Sequence, residues 1–239
     1  MLYFRNVHIG YSQSLLSLSE ISLSSGKLYT LIGSNGAGKT TLLHTLLGLL
    51  PPISGDIEVR NQNIHTLTAT QRALLIAHVP SRFEGVQHLS MRQYIAMGRT
   101  PYTNFLGTLA PADWQIVDAA MEQLGITHLG NRDTAQLSDG ERQIASIAKA
   151  LVQQTPVILL DEPTAFLDYA NRLRVLRLLR DIAHTNGICI LQSSHDLELC
   201  LEFSDELLVV DARQKSIVSM VNKGLSKDVV IQTAFPDRL

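Results

Sequence analysis

The 239-residue sequence is poor in the features that mark exported, membrane-spanning or nucleic-acid-binding chains. It holds only two cysteines, Cys189 and Cys200, which excludes a disulfide framework, and their spacing is not that of a metal site. No apolar run approaches the roughly 20 residues that a bilayer-crossing helix needs. The opening Met1-Leu2-Tyr3-Phe4-Arg5 has neither a basic leader with a long apolar core nor a small-residue cleavage site, so no export signal is expected. Lys and Arg total 20 against 22 for Asp and Glu, a formal charge of -2. That balance supplies no bulk field to draw nucleic acid or anionic lipid. Internal repeats, low-complexity tracts and linkers rich in Gly, Ser and Pro are missing as well. What remains is a chain for a reducing compartment, expected to fold as one domain with subdomains over residues 1–239. Its 45% hydrophobic content can fill a substantial core.

Against these absences stand apolar runs interrupted by chemistry. Leu28 to Ile32 is a short apolar run that meets Gly33-Ser34-Asn35-Gly36-Ala37-Gly38-Lys39-Thr40, and Thr41 to Leu50 then reads as a buried helix stopped by Pro51-Pro52. Val157-Ile158-Leu159-Leu160 is apolar throughout and ends in Asp161-Glu162-Pro163, the pattern of a central parallel strand buried on both faces. Gly187 to Leu191 is another such run, ending near His195. Ala170 to Thr185 carries an apolar stripe at Val175, Leu176, Leu179, Ile182 and Ala183, which predicts an amphipathic helix. Strands alternating with helices imply an α/β fold with a parallel sheet. Met91 to Val152 reads instead as helices, clearest at Ala112 to Leu124 and Asp139 to Val152, and is expected as an inserted helical subdomain.

The glycine loop has a physical reading. Its glycines let successive backbone N–H groups face phosphate oxygens, and the following helix turns its positive dipole end toward the same anion. Lys39 adds a charge for the outer phosphates, and Thr40 a hydroxyl for the magnesium that accompanies a triphosphate. The G-x-x-x-x-G-K-T spacing between strand and helix meets the context that the bare string needs. Asp161 lies where parallel sheets place ligands, as a candidate magnesium ligand, and Glu162 is a candidate base for the water that attacks a γ-phosphate. His195 is open between a residue of the same crevice and a helix-start or packing residue.

The set resembles the nucleotide-binding subunits of ATP-binding-cassette (ABC) transporters over essentially the whole chain. Leu137-Ser138-Asp139-Gly140-Glu141-Arg142-Gln143 is similar to the family's Leu-Ser-Gly-Gly-Gln signature, although by itself Ser138 is an ordinary helix cap. The resemblance implies a P-loop NTPase (RecA-like) core with a mostly parallel sheet, an N-terminal antiparallel β subdomain and a helical insertion. Residues 1–82 and 153–239 would form the core and 83–152 the signature subdomain. It implies ATP and magnesium as ligands, with Gly33, Ser34, Asn35, Gly36, Ala37, Gly38, Lys39, Thr40 and Thr41 at the phosphates, Thr40 and Asp161 at the metal, and Glu162, His195 and Lys39 in hydrolysis. Tyr11 matches the aromatic that stacks on adenine, its alternative being a packed aromatic at a strand end. Asp168, in Ala165-Phe166-Leu167-Asp168, matches an acid that touches the partner subunit; its plain reading is the N-cap of the following helix, a position it can fill in either case. Ser138 and Gly140 would contact the γ-phosphate held by a second copy, which implies a head-to-tail homodimer.

Leu89 to Leu106, with Tyr94-Ile95-Ala96-Met97-Gly98-Arg99-Thr100-Pro101-Tyr102, is similar to the subgroup that imports iron complexes, haem and cobalamin, although Gly98 and Pro101 also read as a plain helix end. The implied partners are integral-membrane permease subunits, with an external substrate-binding protein acting through them, and the implied location is the cytoplasmic face of the membrane. Export and a nucleotide-gated regulatory module are the rival functions. A nucleic-acid role lacks its basic face, since Arg172, Arg174, Arg177 and Arg180 read as the solvated side of a helix. Two positions depart from the family pattern. Pro80 is followed by Ser81 where glutamine is usual, with Gln87 nearby in sequence, and Asp139 replaces the first signature glycine. Ser81 is too short to span a glutamine's gap except through a bridging water. Asp139 is expected to point away from a partner's phosphate. Lys223 to Leu239 carries no chemical motif.

Overall fold

The computed structural model describes residues 1–103 and 105–236, so Asn104 of the Leu89 to Leu106 segment and the last three residues of the C-terminal segment lie outside it. The chain runs β1 (Leu2–Gly10), β2 (Ser14–Leu23), β3 (Lys27–Ile32), α1 (Lys39–Leu46), β4 (Ser54–Val59), β5 (Gln62–Asn63), α2 (Ala69–Ala73) and β6 (Ile76–Val79). The helical stretch follows as α3 (Met91–Ala96), α4 (Pro111–Gln123) and α5 (Asp139–Val152), with a 3₁₀ run at Met97–Tyr102. Then come β7 (Val157–Leu160), α6 (Tyr169–Asn186), β8 (Cys189–Ser194), α7 (Leu197–Phe203), β9 (Glu206–Asp211), β10 (Ser216–Val221) and α8 (Lys227–Ala234).

The strands form one ten-stranded sheet in the order β5-β4-β1-β2-β10-β9-β3-β8-β7-β6. The block β9-β3-β8-β7-β6 is parallel. The strands β5, β4, β1 and β2 pair antiparallel, as do β9 and β10. A single parallel register, Ser216 with Ser17, joins the two halves. The parallel strands alternate across the sheet with period two. Val157, Leu159, Cys189 and Leu191 face a core shared with α1 and the N-terminal strands, while Ile158, Leu160 and Ile190 face the core under α3 to α6. Being covered on both faces, β7 is buried along its whole length. All the parallel strands therefore end at one edge, where their following loops can converge.

Two elements differ from the sequence reading. Helix α1 begins at Lys39 and stops at Leu46, four residues short of the expected Leu50. Gly48 takes a left-handed φ of 68°, and the bonds Leu49 N–H to His44 O and Gly48 N–H to Thr45 O close a Schellman cap before the prolines are reached. The Gly98-Pro101 segment is no simple helix end either. The 3₁₀ run follows α3 directly, and a Cβ at Gly98 would lie 2.1 Å from the Lys149 carbonyl oxygen, so this glycine lets the run press against α5. The stripe of α6 is buried at the five positions expected, Val175, Leu176, Leu179, Ile182 and Ala183.

Candidate nucleotide-binding site

The glycine loop joins β3 to α1. Gly36 and Gly38 hold φ values of 77° and 94°, a left-handed backbone that favours glycine. Lys39 is only 7% exposed, and its ammonium donates to the carbonyl oxygens of Gly33 at 2.8 Å and Ser34 at 3.1 Å. Burial pulls its pKa below the ordinary lysine value, while Glu162 and Asp161 push the other way. A cation folded into its own loop, with Asn35 and Gly36 exposed beside it, fits a polyphosphate: an anion entering the loop offers that ammonium better acceptors than two carbonyls. Thr40 is exposed beside it and Thr41 is buried.

Strand β7 delivers the acids. Asp161 Oδ1 accepts the Ser193 hydroxyl at 2.7 Å, and the same hydroxyl oxygen accepts the Glu162 backbone N–H at 2.9 Å. Ser193 is fully buried near the end of β8. Sequence reading passed over it, although a polar residue at the end of an apolar strand beside the His195 segment was the available signal. Glu162 has φ 43°, a left-handed backbone that is costly for a residue with a Cβ. Its Oε2 lies 3.4 Å from His195 Nδ1, with side chains 30% and 55% exposed respectively. Gly33, Ser34, Asn35, Glu162, His195 and Phe235 line one cleft of about 360 Å³.

The other expected residues lie outside that cleft. Ser138 caps α5 through a capping box: its hydroxyl accepts the Glu141 N–H at 3.3 Å, and Glu141 accepts the Ser138 N–H at 2.8 Å. A Cβ at Gly140 would stand 3.1 Å from the Asn171 side chain of α6. Asp168 caps α6, accepting from the Asn171 N–H at 2.8 Å, the role expected of it whether or not it also meets a partner subunit. Asp139 accepts from Arg142 Nη2 at 2.7 Å, which turns its carboxylate along its own helix. Ser81, Asp139, Arg142, Gln143 and Phe166 line a separate crevice of about 10 Å³, room for about one water. Gln143 is 5% exposed, and its Nε2 has no partner among the described residues. Tyr11 is 73% exposed after β1, which removes the packed-aromatic alternative. Gln87 is exposed and outside both clefts. The four arginines of α6 divide: Arg174 and Arg177 are solvated, whereas Arg172 donates to the Leu167 carbonyl and Arg180 lies over Phe203.

A phosphate loop between a parallel strand and a helix, with two acids at the end of β7, one strand removed from β3 across β8, defines a P-loop nucleotide hydrolase. The chain belongs to the ABC transporter family, whose model matches residues 16–165, and as such it is an ATP-binding ATPase. It is 37% identical over 230 residues to the achromobactin transport ATP-binding protein CbrD of Dickeya dadantii (strain 3937), covering 94% of this chain and 86% of that one. It is 34% identical over 203 residues to the iron(3+)-hydroxamate import ATP-binding protein FhuC of Bacillus subtilis (strain 168), covering 84% and 76%. Among solved structures, an inward-facing ABC transporter described as of metal-chelate type superposes with a TM-score of 0.85 at 29% identity, covering 98% of this chain and 88% of that one. No helix among the described residues is long and apolar enough to cross a membrane.

Proposed function

We propose that this chain energises the import of an iron(III) chelate through separate permease subunits, working as a head-to-tail homodimer at the cytoplasmic face of the membrane. The observation that carries the reading is the separation of two half-sites. Gly33, Ser34 and Asn35 of the phosphate loop share one cleft with Glu162 and His195, whereas Ser138, Gly140 and Asp168 do not line it. A signature segment that does not meet its own chain's phosphate loop suits one that meets another chain's. In this reading residues 1–82 and 153–239 are the nucleotide-binding core, 83–152 the signature-bearing lobe, and Tyr11 the stacking platform for adenine. The names of the relatives support transport of a chelate, and that of FhuC import of an iron(III) cargo; in this reading an external binding protein presents it to the permease.

The chemistry follows from the cleft. Lys39 exchanges the Gly33 and Ser34 carbonyls for the outer phosphates of ATP. The backbone N–H groups of Gly33 to Thr41 and the start of α1 take up the remaining charge. Glu162 holds the attacking water and accepts its proton as the water oxygen bonds to the γ-phosphorus and the bond to ADP breaks, giving ADP and inorganic phosphate. His195, beside that carboxylate, keeps it aimed and contacts the γ-phosphate. Thr40 and Asp161 would hold magnesium, which neutralises developing phosphate charge when bound. Asp161 is already oriented for this by Ser193.

Glu162→Gln tests the assignment: it should bind ATP, lose phosphate release and accumulate as a closed dimer. Normal turnover by that variant refutes the role of Glu162. The cargo is tested by purifying the chain with its permease and measuring vesicle uptake of ferric chelates against haem and cobalamin. A second reading, a nucleotide-gated module with little turnover, draws on Ser81, which lies in the small crevice and outside the phosphate cleft. Phosphate release by the parent chain separates the two.

A further inference from the structure

The segment from Lys223 onward has no motif, yet α8 ends at the phosphate cleft. Val230 and Ala234 of this helix are buried in a small apolar cluster with Ile32, Cys200, Leu207 and Val209, and Phe235 packs against the same cluster. Ile32 immediately precedes the glycine loop. Cys200 belongs to α7, which starts two residues after His195. Two polar ties add to the anchoring: Lys227 Nζ to Glu198 Oε1 of α7 at 2.6 Å, and Ala212 N–H to the Thr233 carbonyl at 3.2 Å. The last turn closes with Phe235 N–H to Ile231 O at 2.8 Å, and Pro236 follows, which cannot donate to a continuing helix. The half-buried ring of Phe235 is thus held between the apolar cluster and the cleft, as a wall of the space lined by Gly33, Ser34, Asn35, Glu162 and His195.

A phenyl ring has no hydrogen-bond donor, and its face carries negative charge, so it adds nothing to the capture of phosphate. What it supplies at that position is bulk. In the head-to-tail reading, on which this inference rests, Ser138 and Gly140 of a second copy must reach the γ-phosphate from the side of the cleft that a lone chain leaves unfilled. We propose that Phe235 is a self-occluding gate: in the single chain its ring covers part of the phosphate cleft, and closure of the dimer has to displace it. The C-terminal helix then sets the threshold for ATP-driven dimerisation and restrains hydrolysis by chains that are not engaged. Because α8 packs on both the strand that enters the glycine loop and the helix that follows His195, displacement of the ring is felt at both.

The test uses the full chain in the Glu162→Gln background, where the dimer is expected to persist, with the dimer fraction measured against ATP concentration by light scattering. Phe235→Ala should lower the ATP needed for half-maximal dimer about fivefold, the equivalent of no longer withdrawing roughly half a phenyl ring from apolar contact. Phe235→Leu, which keeps apolar packing on the cluster, should fall between. With Glu162 intact, Phe235→Ala should raise the basal ATPase rate in the same proportion. Phe235→Trp supplies an independent readout: its emission should shift when the dimer forms, relative to the same protein without the substitution. An unchanged or raised ATP requirement in Phe235→Ala overturns the gate, as does an unshifted Phe235→Trp emission while the dimer forms. Absence of any ATP-driven dimer in Glu162→Gln itself overturns the head-to-tail reading and the gate with it. A dimer that forms equally well with and without the ring overturns the gate alone.

Discussion

Asp113→Asn isolates one buried charge and leaves the nucleotide cleft untouched. Arg99 and Asp113 are 5% and 8% exposed, and Arg99 Nε donates to Asp113 Oδ1 at 2.9 Å. The rest of the guanidinium is also engaged: Nη1 donates to the Val152 carbonyl at 2.8 Å and to the Gln154 side-chain oxygen at 2.9 Å, and the group lies 3.8 Å from the Tyr102 ring centre. Asp113 Oδ2 accepts the Ala110 N–H at 2.9 Å at the start of α4. One ion pair therefore ties the 3₁₀ run Met97–Tyr102, α4 and the end of α5 together. Asparagine keeps the shape and an accepting oxygen but removes the charge, leaving a buried guanidinium without its counter-ion. Removing one member of such a pair costs about 3 to 5 kcal/mol, and the retained hydrogen bonds favour the lower figure. At roughly 2–4 °C per kcal/mol for a chain of this size, Tm should fall by about 6–12 °C at pH 7. Calorimetry measures it, and a fall below about 2 °C, the scale of a surface substitution, refutes the reasoning. Arg99 and the Ala110 N–H hold the Asp113 carboxyl below its ordinary pKa. Its contribution is complete above the unfolded value of about 3.9 and is lost as pH falls below it. The gap between parent and variant should therefore shrink below about pH 4. ATP affinity should not change, since none of these residues lines the cleft.

Three further outcomes concern Ser81, Asp139 and two half-buried histidines. Ser81→Gln should raise basal ATPase activity by about tenfold, on the order of one hydrogen bond to the attacking water; an unchanged steady-state rate removes Ser81 from the account of coupling. Asp139→Gly should move the ATP dependence of dimerisation by less than about twofold, as expected of an exposed carboxylate already paired with Arg142; a large gain in dimer affinity would identify the acid as inhibitory. His65 and His78 have pKa values lowered chiefly by burial, with Arg72 adding to the effect at His65, and with His44 and Lys149 adding to it at His78 against the opposing pull of Asp161. The unfolded chain therefore binds more protons than the folded one near pH 6, and stability drops as pH falls through about 6.5. The double variant His65→Gln/His78→Gln should flatten Tm between pH 7.5 and 5.5, and an unaltered slope counts against this.

Strands β3, β7 and β8 were legible because their runs are mainly apolar and lead into chemistry, Ile32 before Gly33, Leu160 before Asp161 and Ser194 before His195, whereas β9 is bounded by no motif. The stripe of α6 was legible for the same reason, its period matching its burial. The end of α1 was not, because Gly48 in Leu47-Gly48-Leu49 interrupts a run that is apolar throughout, and a cap depends on backbone torsion rather than hydrophobicity. The role of Gly98 was hidden as well, since close approach of two segments leaves no local mark. At the site, spacing disclosed the loop and the acids. Ser193 and Phe235 reach them only through tertiary packing, from a strand and a helix that the phosphate motif does not name.

The left-handed turn at Glu162 has a geometric consequence. Along a regular strand, neighbouring side chains emerge on opposite faces, so adjacent acids at 161 and 162 would ordinarily serve different sides of the sheet. A φ of 43° breaks that alternation, as the proposed assignment of one carboxylate to the metal and its neighbour to the water requires. The tool that cancels the alternation is the Ser193 hydroxyl, which grips the side chain of the first acid and the backbone of the second. In the proposed mechanism, hydrolysis is thereby contingent on a torsion angle. Were β8 to slip against β7, Asp161 and Glu162 would lose their common registration together, and the site would switch off as a unit.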